Sequence, residues 1–265
     1  MTQVTAKQLL GQGLFAARLN AVLLGNSAVI VMFHRVQETD GSDGLTVDVP
    51  TFERYCRYFR RHFRVRPLRE IVAAIERCTP PHRALAITFD DGYLDNYENA
   101  APVLERLSLP ATFFVVTQWI QSDVVPWWDA ARGFRYPWMT WNDVRALAAR
   151  GFEIGAHTRT HVDLGQVTSL LADEEIRGAR LELEDKLGAG VESFAYPYGG
   201  QHHVTEAARA LVKQAGFRCC CSGFGGINGT GTDPFRLRRV PVSPRYASPD
   251  QFGFDLALGR SVLGA

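Results

Sequence analysis

Ala84-Leu85-Ala86-Ile87-Thr88-Phe89-Asp90-Asp91-Gly92 is the stretch on which the fold turns. Ala84–Thr88 is an uncharged run short enough for a strand, and its lack of polar alternation marks a strand buried on both faces. It runs through Phe89 into two carboxylates and a glycine, a strand end that becomes a turn. Side chains on a strand alternate between its faces, so adjacent aspartates cannot share one task while the chain stays extended. Where the chain turns, one carboxylate is free to ligate a metal while the other faces an attacking water. Alone, the plainer reading of Asp90-Asp91-Gly92 is a solvated turn.

Working outward, the same pattern repeats. Strand candidates are Ala28–Met32, Ala111–Val116, Phe152–Gly155, Glu192–Tyr196, Phe217–Cys221 and Leu237–Val242. Between them lie helical stretches at Thr51–His62, Glu98–Leu107, Thr140–Arg150, Leu170–Leu187 and Val204–Ala215. Asn142 is a candidate cap for the third helix; Gly151 and Gly216 close the third and fifth. Strand–helix alternation of this kind predicts an α/β protein with parallel strands inside and helices outside. About seven strands in one domain point to a distorted or incomplete (β/α) barrel, for which about 250 residues suffice. The chain has 265. The expected division is a helical extension over 1–27, the barrel over 28–245, and a tail or helix over 246–265.

The net charge of +1 gives no reason to expect a nucleic-acid partner. The five cysteines, Cys56, Cys78 and Cys219-Cys220-Cys221, form no CxxC pair, and they read as reduced, mostly buried thiols. The apolar run Leu19–Phe33 is interrupted by Asn20, Asn26 and Ser27 and falls short of the roughly 18 residues of a spanning helix. No small-residue cleavage site follows it, so the expected location is cytoplasmic, without a transmembrane segment. Ala6–Leu24 reads as an amphipathic helix. It could touch a membrane surface, although packing against the barrel is its plainer use.

Two surface features carry rival readings. Arg54, Arg57, Arg60, Arg61 and Arg64 crowd one helix, as a solvated face or a contact for an anionic polymer. The irregular stretch Gln118–Pro137, with Trp119, Trp127 and Trp128 and with Trp138 just after it, lines a sugar cleft or folds on its own apolar residues.

The polar residues gather in one kind of place. His34, Asp90-Asp91, His157 and Tyr196-Pro197-Tyr198 each follow a strand candidate, and parallel strand ends converge on one face of a barrel. His157 and His161 form His-x3-His, which on a helical turn would put both imidazoles on one side. Two histidines and a carboxylate leave coordination positions open for water and substrate, the requirement of metal-assisted hydrolysis.

Thr88-Phe89-Asp90-Asp91-Gly92 and His157-Thr158-Arg159-Thr160-His161 resemble, in this order, the first two motifs of the polysaccharide deacetylases, carbohydrate esterase family four. Pro110-Ala111-Thr112-Phe113-Phe114-Val115 and Phe194-Ala195-Tyr196-Pro197-Tyr198-Gly199 support the resemblance, which covers roughly residues 28–242. It implies a metal-dependent hydrolase that removes N-acetyl groups from a polysaccharide, an oligosaccharide or a lipid-linked amino sugar. The implied ligands are Asp91, His157 and His161, holding a divalent ion, usually zinc, with cobalt or nickel as substitutes. Asp90 is the implied general base, and the Tyr198 N–H the implied oxyanion donor.

Two departures from the family stand out. Ala195 occupies the place of the arginine that orients the basic aspartate, and no histidine follows residue 203 to supply the late general acid. Val31-Met32-Phe33-His34-Arg35-Val36 resembles the N-terminal histidine motif of a circularly permuted branch that acts on exopolysaccharides such as poly-N-acetylglucosamine. That resemblance gives the acid role to His34. Arg239, in Leu237-Arg238-Arg239-Val240-Pro241-Val242, is the candidate for the missing arginine. The rival readings are a deformylase, esterase or cyclic-amide hydrolase on the same scaffold, and a carbohydrate-binding protein without catalysis.

Overall fold

The computed structural model describes residues 5–17, 19–38, 43–79, 81–242, 246 and 248–258. Its strands are β1 (Ala28–Phe33), β2 (Arg35–Gln37), β3 (Thr46–Asp48), β4 (Arg64–Val65), β5 (Ala84–Phe89), β6 (Thr112–Val115), β7 (Glu153–Ala156), β8 (Ser193–Ala195), β9 (Cys219–Cys221) and β10 (Val240–Pro241). The helices are α1 (Ala6–Ala16), α2 (Asn20–Leu23), α3 (Val49–His62), α4 (Leu68–Glu76), α5 (Ala101–Arg106), α6 (Trp127–Ala130), α7 (Trp141–Ala149), α8 (Ser169–Leu187), α9 (Glu206–Gln214) and α10 (Pro249–Ala257).

The main sheet runs β10-β1-β5-β6-β7-β8-β9, all parallel. These are the seven strands expected. Short β4 adds an eighth beside the first half of β5. One parallel bridge, Cys221 to Leu237, links β9 to the segment that becomes β10, so the curled sheet nearly meets itself. The result is a distorted (β/α) barrel in a single α/β domain.

Alternation along the strands sorts the core into two sets. Phe33, Leu85, Ile87, Phe89, Phe113 and Phe194 join the apolar faces of α3, α7, α8 and α9. The intervening residues, Ala28, Ile30, Ala84, Ala86, Ala195, Cys219 and Cys221, form a second cluster that α4 closes with Leu68, Ile71, Val72 and Ile75. This inner set is mostly small, as a narrow barrel requires. Gly155 is the tightest case: a Cβ there would lie 2.4 Å from the Phe114 ring. Cys56 and the Cys219–Cys221 run are buried free thiols; Cys78 is exposed.

The same alternation aims the polar residues. Met32 pairs with Thr88 and Phe33 with Phe89, so His34 and Asp90 follow at the same level on neighbouring strands. Asp90 N donates to Phe33 O and His157 N to Val115 O, continuing the ladders one step past the strands.

Local differences from the sequence reading have simple causes. Helix α7 is capped by Thr140, not Asn142, because Thr140 and Asp143 form a reciprocal capping box. The expected Ala6–Leu24 helix is two pieces, α1 and the short α2. Between β1 and α3 the chain adds two short strands that the sequence reading did not include, with β3 paired parallel to β2 in a small separate sheet. Among the described residues, no helix is long and apolar enough to cross a membrane.

Candidate functional site

The strand ends open into a cavity of about 300 Å³ lined by His34, Asp90, Asp91, His157, His161 and Arg239, with Trp128, Tyr196 and Tyr198 among its aromatic walls. All seven residues singled out from the sequence therefore line one cavity. They follow β1, β5, β7 and β8 or lie beside β10, and the parallel sheet brings these segments to one mouth.

Asp91, His157 and His161 offer ligand atoms within 4.8 Å of one another. His157 Nε2 and His161 Nε2 each lie 3.4 Å from Asp91 Oδ1, and all three residues are buried. The His157 Nδ1 sits 2.8 Å from Ala195 O. A carbonyl only accepts, so Nδ1 carries a hydrogen, and Nε2 is the ring nitrogen that faces Asp91 Oδ1, where a metal ion would meet both. Asp91 Oδ1 has no hydrogen-bond partner among the described residues, an orphaned buried oxygen that a cation would satisfy. The donor set, two imidazoles and one carboxylate, suits a divalent ion of the zinc type.

His157 and His161 do not sit on a helix, contrary to the geometry expected for His-x3-His. His157 follows β7 and the chain then loops, with Thr158 at φ +63° and His161 at φ +61°. Asp91 itself is at φ +76° and Tyr198 at φ +60°. Non-glycine residues in this region carry strain, which persists only where surrounding contacts enforce it. Here the contacts are visible. Glu175 of α8, buried, accepts from Arg159 N at 2.9 Å, from Thr160 N at 2.9 Å and from Thr160 Oγ1 at 2.8 Å. Trp119 stacks on the His161 ring at 5.0 Å, and Trp128 and Tyr198 close in at 5.1 and 4.8 Å.

Glu175→Ala is expected to lower zinc affinity about 10- to 100-fold, because the loop between the two histidines loses its anchor. It should also cost about 1–3 kcal/mol of stability through the two backbone N–H groups left unpaired. Zinc competition titration and denaturant melts measure both; unchanged affinity would mean the loop holds itself.

Asp90 is gripped by Arg239. Nη1 lies 2.7 Å from Oδ1 and Nη2 2.7 Å from Oδ2, a two-pronged contact, while Nε donates to Ser222 O at 2.7 Å. Both side chains are buried. Burial alone would raise the Asp90 carboxyl, but Arg239 outweighs it and holds the group below the ordinary carboxylate range. Asp91 is held well below that range, against the same desolvation, by the imidazoles of His157 and His161. Burial lowers the His34 and His161 imidazoles.

A second charged knot shapes the rim. Arg35, fully buried, pairs with Asp43 at 2.5 Å and Asp129 at 2.7 Å, and donates to Tyr93 Oη and Thr46 Oγ1 at 3.0 Å each. It joins the 43–46 loop to α6, so that Leu45 and Trp128 become facing walls of the cavity. The tryptophans divide between the two readings of their loop. Trp119 and Trp138 pack with Tyr93 and Val116, Trp128 lines the cavity, and Trp127 is 68% exposed beside it.

Sequence reasoning missed Glu175 and the Arg35–Asp43–Asp129 knot. A long helix of alternating charges gives no sign of which glutamate turns inward, although Arg35 directly follows a residue that was singled out. Tyr198 N–H has no acceptor among the described residues.

A parallel barrel with an Asp/His/His group and a second, arginine-held aspartate at its mouth has the parts that metal-assisted hydrolysis calls for. The chain belongs to the polysaccharide deacetylase family, whose sequence profile matches residues 77–220, more than half of its length. The match takes in Asp90, Asp91, His157, His161 and Tyr198, but not His34 or Arg239. The Bacillus subtilis protein YxkH is 24% identical over 217 residues, 81% of this chain and 71% of that one. The poly-β-1,6-N-acetyl-D-glucosamine N-deacetylase of Escherichia coli K12 is 33% identical over 82 residues, 29% of this chain and 12% of the enzyme. The chain thus spans most of the first relative and a small part of the second. The Streptococcus pyogenes deacetylase PplD, solved with acetate, shares the fold at a TM-score of 0.74 and 19% identity, covering 86% of this chain and 97% of that one.

Proposed function

We propose that this chain is a zinc-dependent N-deacetylase acting on N-acetylated carbohydrate, with a poly-N-acetylglucosamine as the preferred substrate class. The reading rests on one observation above all: Asp90, clasped through both oxygens by Arg239, shares a cavity with Asp91, His157 and His161. The Escherichia coli relative, a poly-β-1,6-N-acetyl-D-glucosamine N-deacetylase, supports the choice of sugar.

Asp91, His157 and His161 would hold the ion. When bound, a zinc ion acidifies a water and polarises the acetamide carbonyl. Asp90 takes the proton of the attacking water, and Arg239 keeps that carboxylate ionised and aimed. The developing oxyanion is met by the Tyr198 N–H, a donor worth about 3 kcal/mol in such a position. His34, at the end of β1 and on the wall of the same cavity, donates a proton to the departing nitrogen. Acetate and a free amino sugar leave.

His34→Ala should slow amide cleavage by about 100-fold while changing hydrolysis of an activated acetyl ester only a few-fold, since a phenolate departs without a proton. Equal losses on both substrates would take the acid role away from His34. The proposal as a whole is tested by acetate release from β-1,6-linked N-acetylglucosamine oligomers, using protein loaded with zinc, cobalt or nickel and protein treated with chelator. Folded, metal-loaded protein that frees no acetate from any N-acetylated oligosaccharide would end it.

A further inference from the structure

At the opposite end of the barrel from the cavity, α1 and α2 leave an apolar surface without a partner among the described residues. Leu9, Leu10, Leu19, Val22 and Leu23 are all exposed, Val22 to 82%. Helix α1 carries one charge, Lys7, and that is turned onto α10, where it pairs with Asp255 at 3.0 Å. The opposite face of α1 therefore presents no charge to solvent. The first acidic residue of the chain is Glu38.

Beside this surface lies a cleft lined by Gln12 and Ala16 of α1, by Gly25 and Asn26 just before β1, and by Arg61, Arg64 and Arg83. Three guanidinium groups stand there against one carboxylate, Asp250, which accepts from Gln12. Arg61, Arg64 and Arg83 have no ion pair among the described residues. Arg64 opens β4 and Arg83 directly precedes β5, so the cleft sits at the foot of the strands and the cavity at their heads.

We propose that α1, α2 and this cleft form a peripheral docking surface for an anionic lipid bilayer. Uncharged helix faces sink into the headgroup–acyl boundary, and a neighbouring basic patch draws them to negative lipid. A protein partner would meet the apolar face equally well, but the adjacent excess of unpaired arginine favours a polyanionic plane. Docked this way, the barrel stands with its strand heads away from the membrane, and the cavity opens toward a polymer in the aqueous phase. The inference does not depend on the deacetylase reading, since it concerns the other end of the fold.

The test is sedimentation of the full chain with phosphatidylcholine vesicles, with and without phosphatidylglycerol. The wild type should bind vesicles that contain phosphatidylglycerol and release as salt is raised. Leu9→Glu with Val22→Glu should weaken binding at least about tenfold, since both side chains lie on the exposed face. Arg61→Gln with Arg83→Gln should weaken it by about tenfold and remove the preference for anionic lipid. All these positions are surface-exposed or cleft-lining, and circular dichroism confirms the fold of each variant. Failure of the folded wild type to bind, equal binding to neutral vesicles, or a concentration-dependent dimer abolished by Val22→Glu would each overturn the proposal.

Discussion

Asp91→Ala is expected to lose bound zinc and acetate release together, with kcat/KM lower by about 10⁴-fold or more. The size follows from what the carboxylate does at once. It is the only anion in the Asp91–His157–His161 group, so without it the cation has two neutral imidazoles and no compensating charge. Loss of the ion removes both the acidified water and the polarised carbonyl, each worth about 10²–10⁴ in rate. The fold should survive. Asp91 Oδ1 makes no hydrogen bond among the described residues, so its removal strands no donor there. The cost is the backbone, since alanine at φ +76° forfeits about 1 kcal/mol that aspartate tolerates better. His157→Ala should show the same joint loss. Zinc content after dialysis, measured beside acetate release, is the check. A variant that keeps one zinc per chain would remove Asp91 from the ligand set.

Why so much of this site could be read in advance has a physical explanation. Parallel strands that run from one face to the other put their carboxyl ends at a single mouth, so a residue need only follow a strand to reach it. Ala84–Phe89 and Ala28–Phe33 are uncharged and buried throughout, and such runs are hard to mistake. Asp90 and His34 were found by that rule alone, before any contact was known. Arg239 yielded to a different logic. The resembled family places an arginine where Ala195 stands, and Arg239, in another terminal strand, was the candidate to replace it.

What stayed hidden depends on loops, whose geometry follows from contacts rather than from periodicity. The spacing of His157 and His161 fits a helical turn as well as it fits the loop that is present. The loop is imposed by Glu175 from a helix elsewhere and by the Trp119 ring, neither of which the spacing encodes. Arg35 was likewise opaque. Its partners Asp43 and Asp129 lie in connecting segments, and an ion pair between two such segments has no sequence pattern. The short β2–β3 sheet arises beside that pair and owes its placement to Asp95, which accepts from Val36 N at 3.1 Å. Three-residue strands are below the length at which alternation can be recognised.

Arg239→Met should cost about 3–5 kcal/mol of stability and at least about 10²-fold in kcat, because it strands the buried Asp90 carboxylate. The guanidinium is fully buried, donates to both Asp90 oxygens and ties Ser222 O and Thr88 Oγ1 to the same fork. Lysine has a single ammonium and cannot span two carboxylate oxygens and a carbonyl, so Arg239→Lys should recover only part of either loss. The decisive measurement is a double-mutant cycle with Asp90→Asn. If the two side chains act through one another, the combined variant will be much less destabilised than the sum of the single variants, since neither charge remains to be stranded. Its turnover should be no worse than that of Asp90→Asn alone, because the arginine has no base left to orient. Strict additivity in stability, together with a further fall in kcat, would show that Arg239 acts on something other than Asp90.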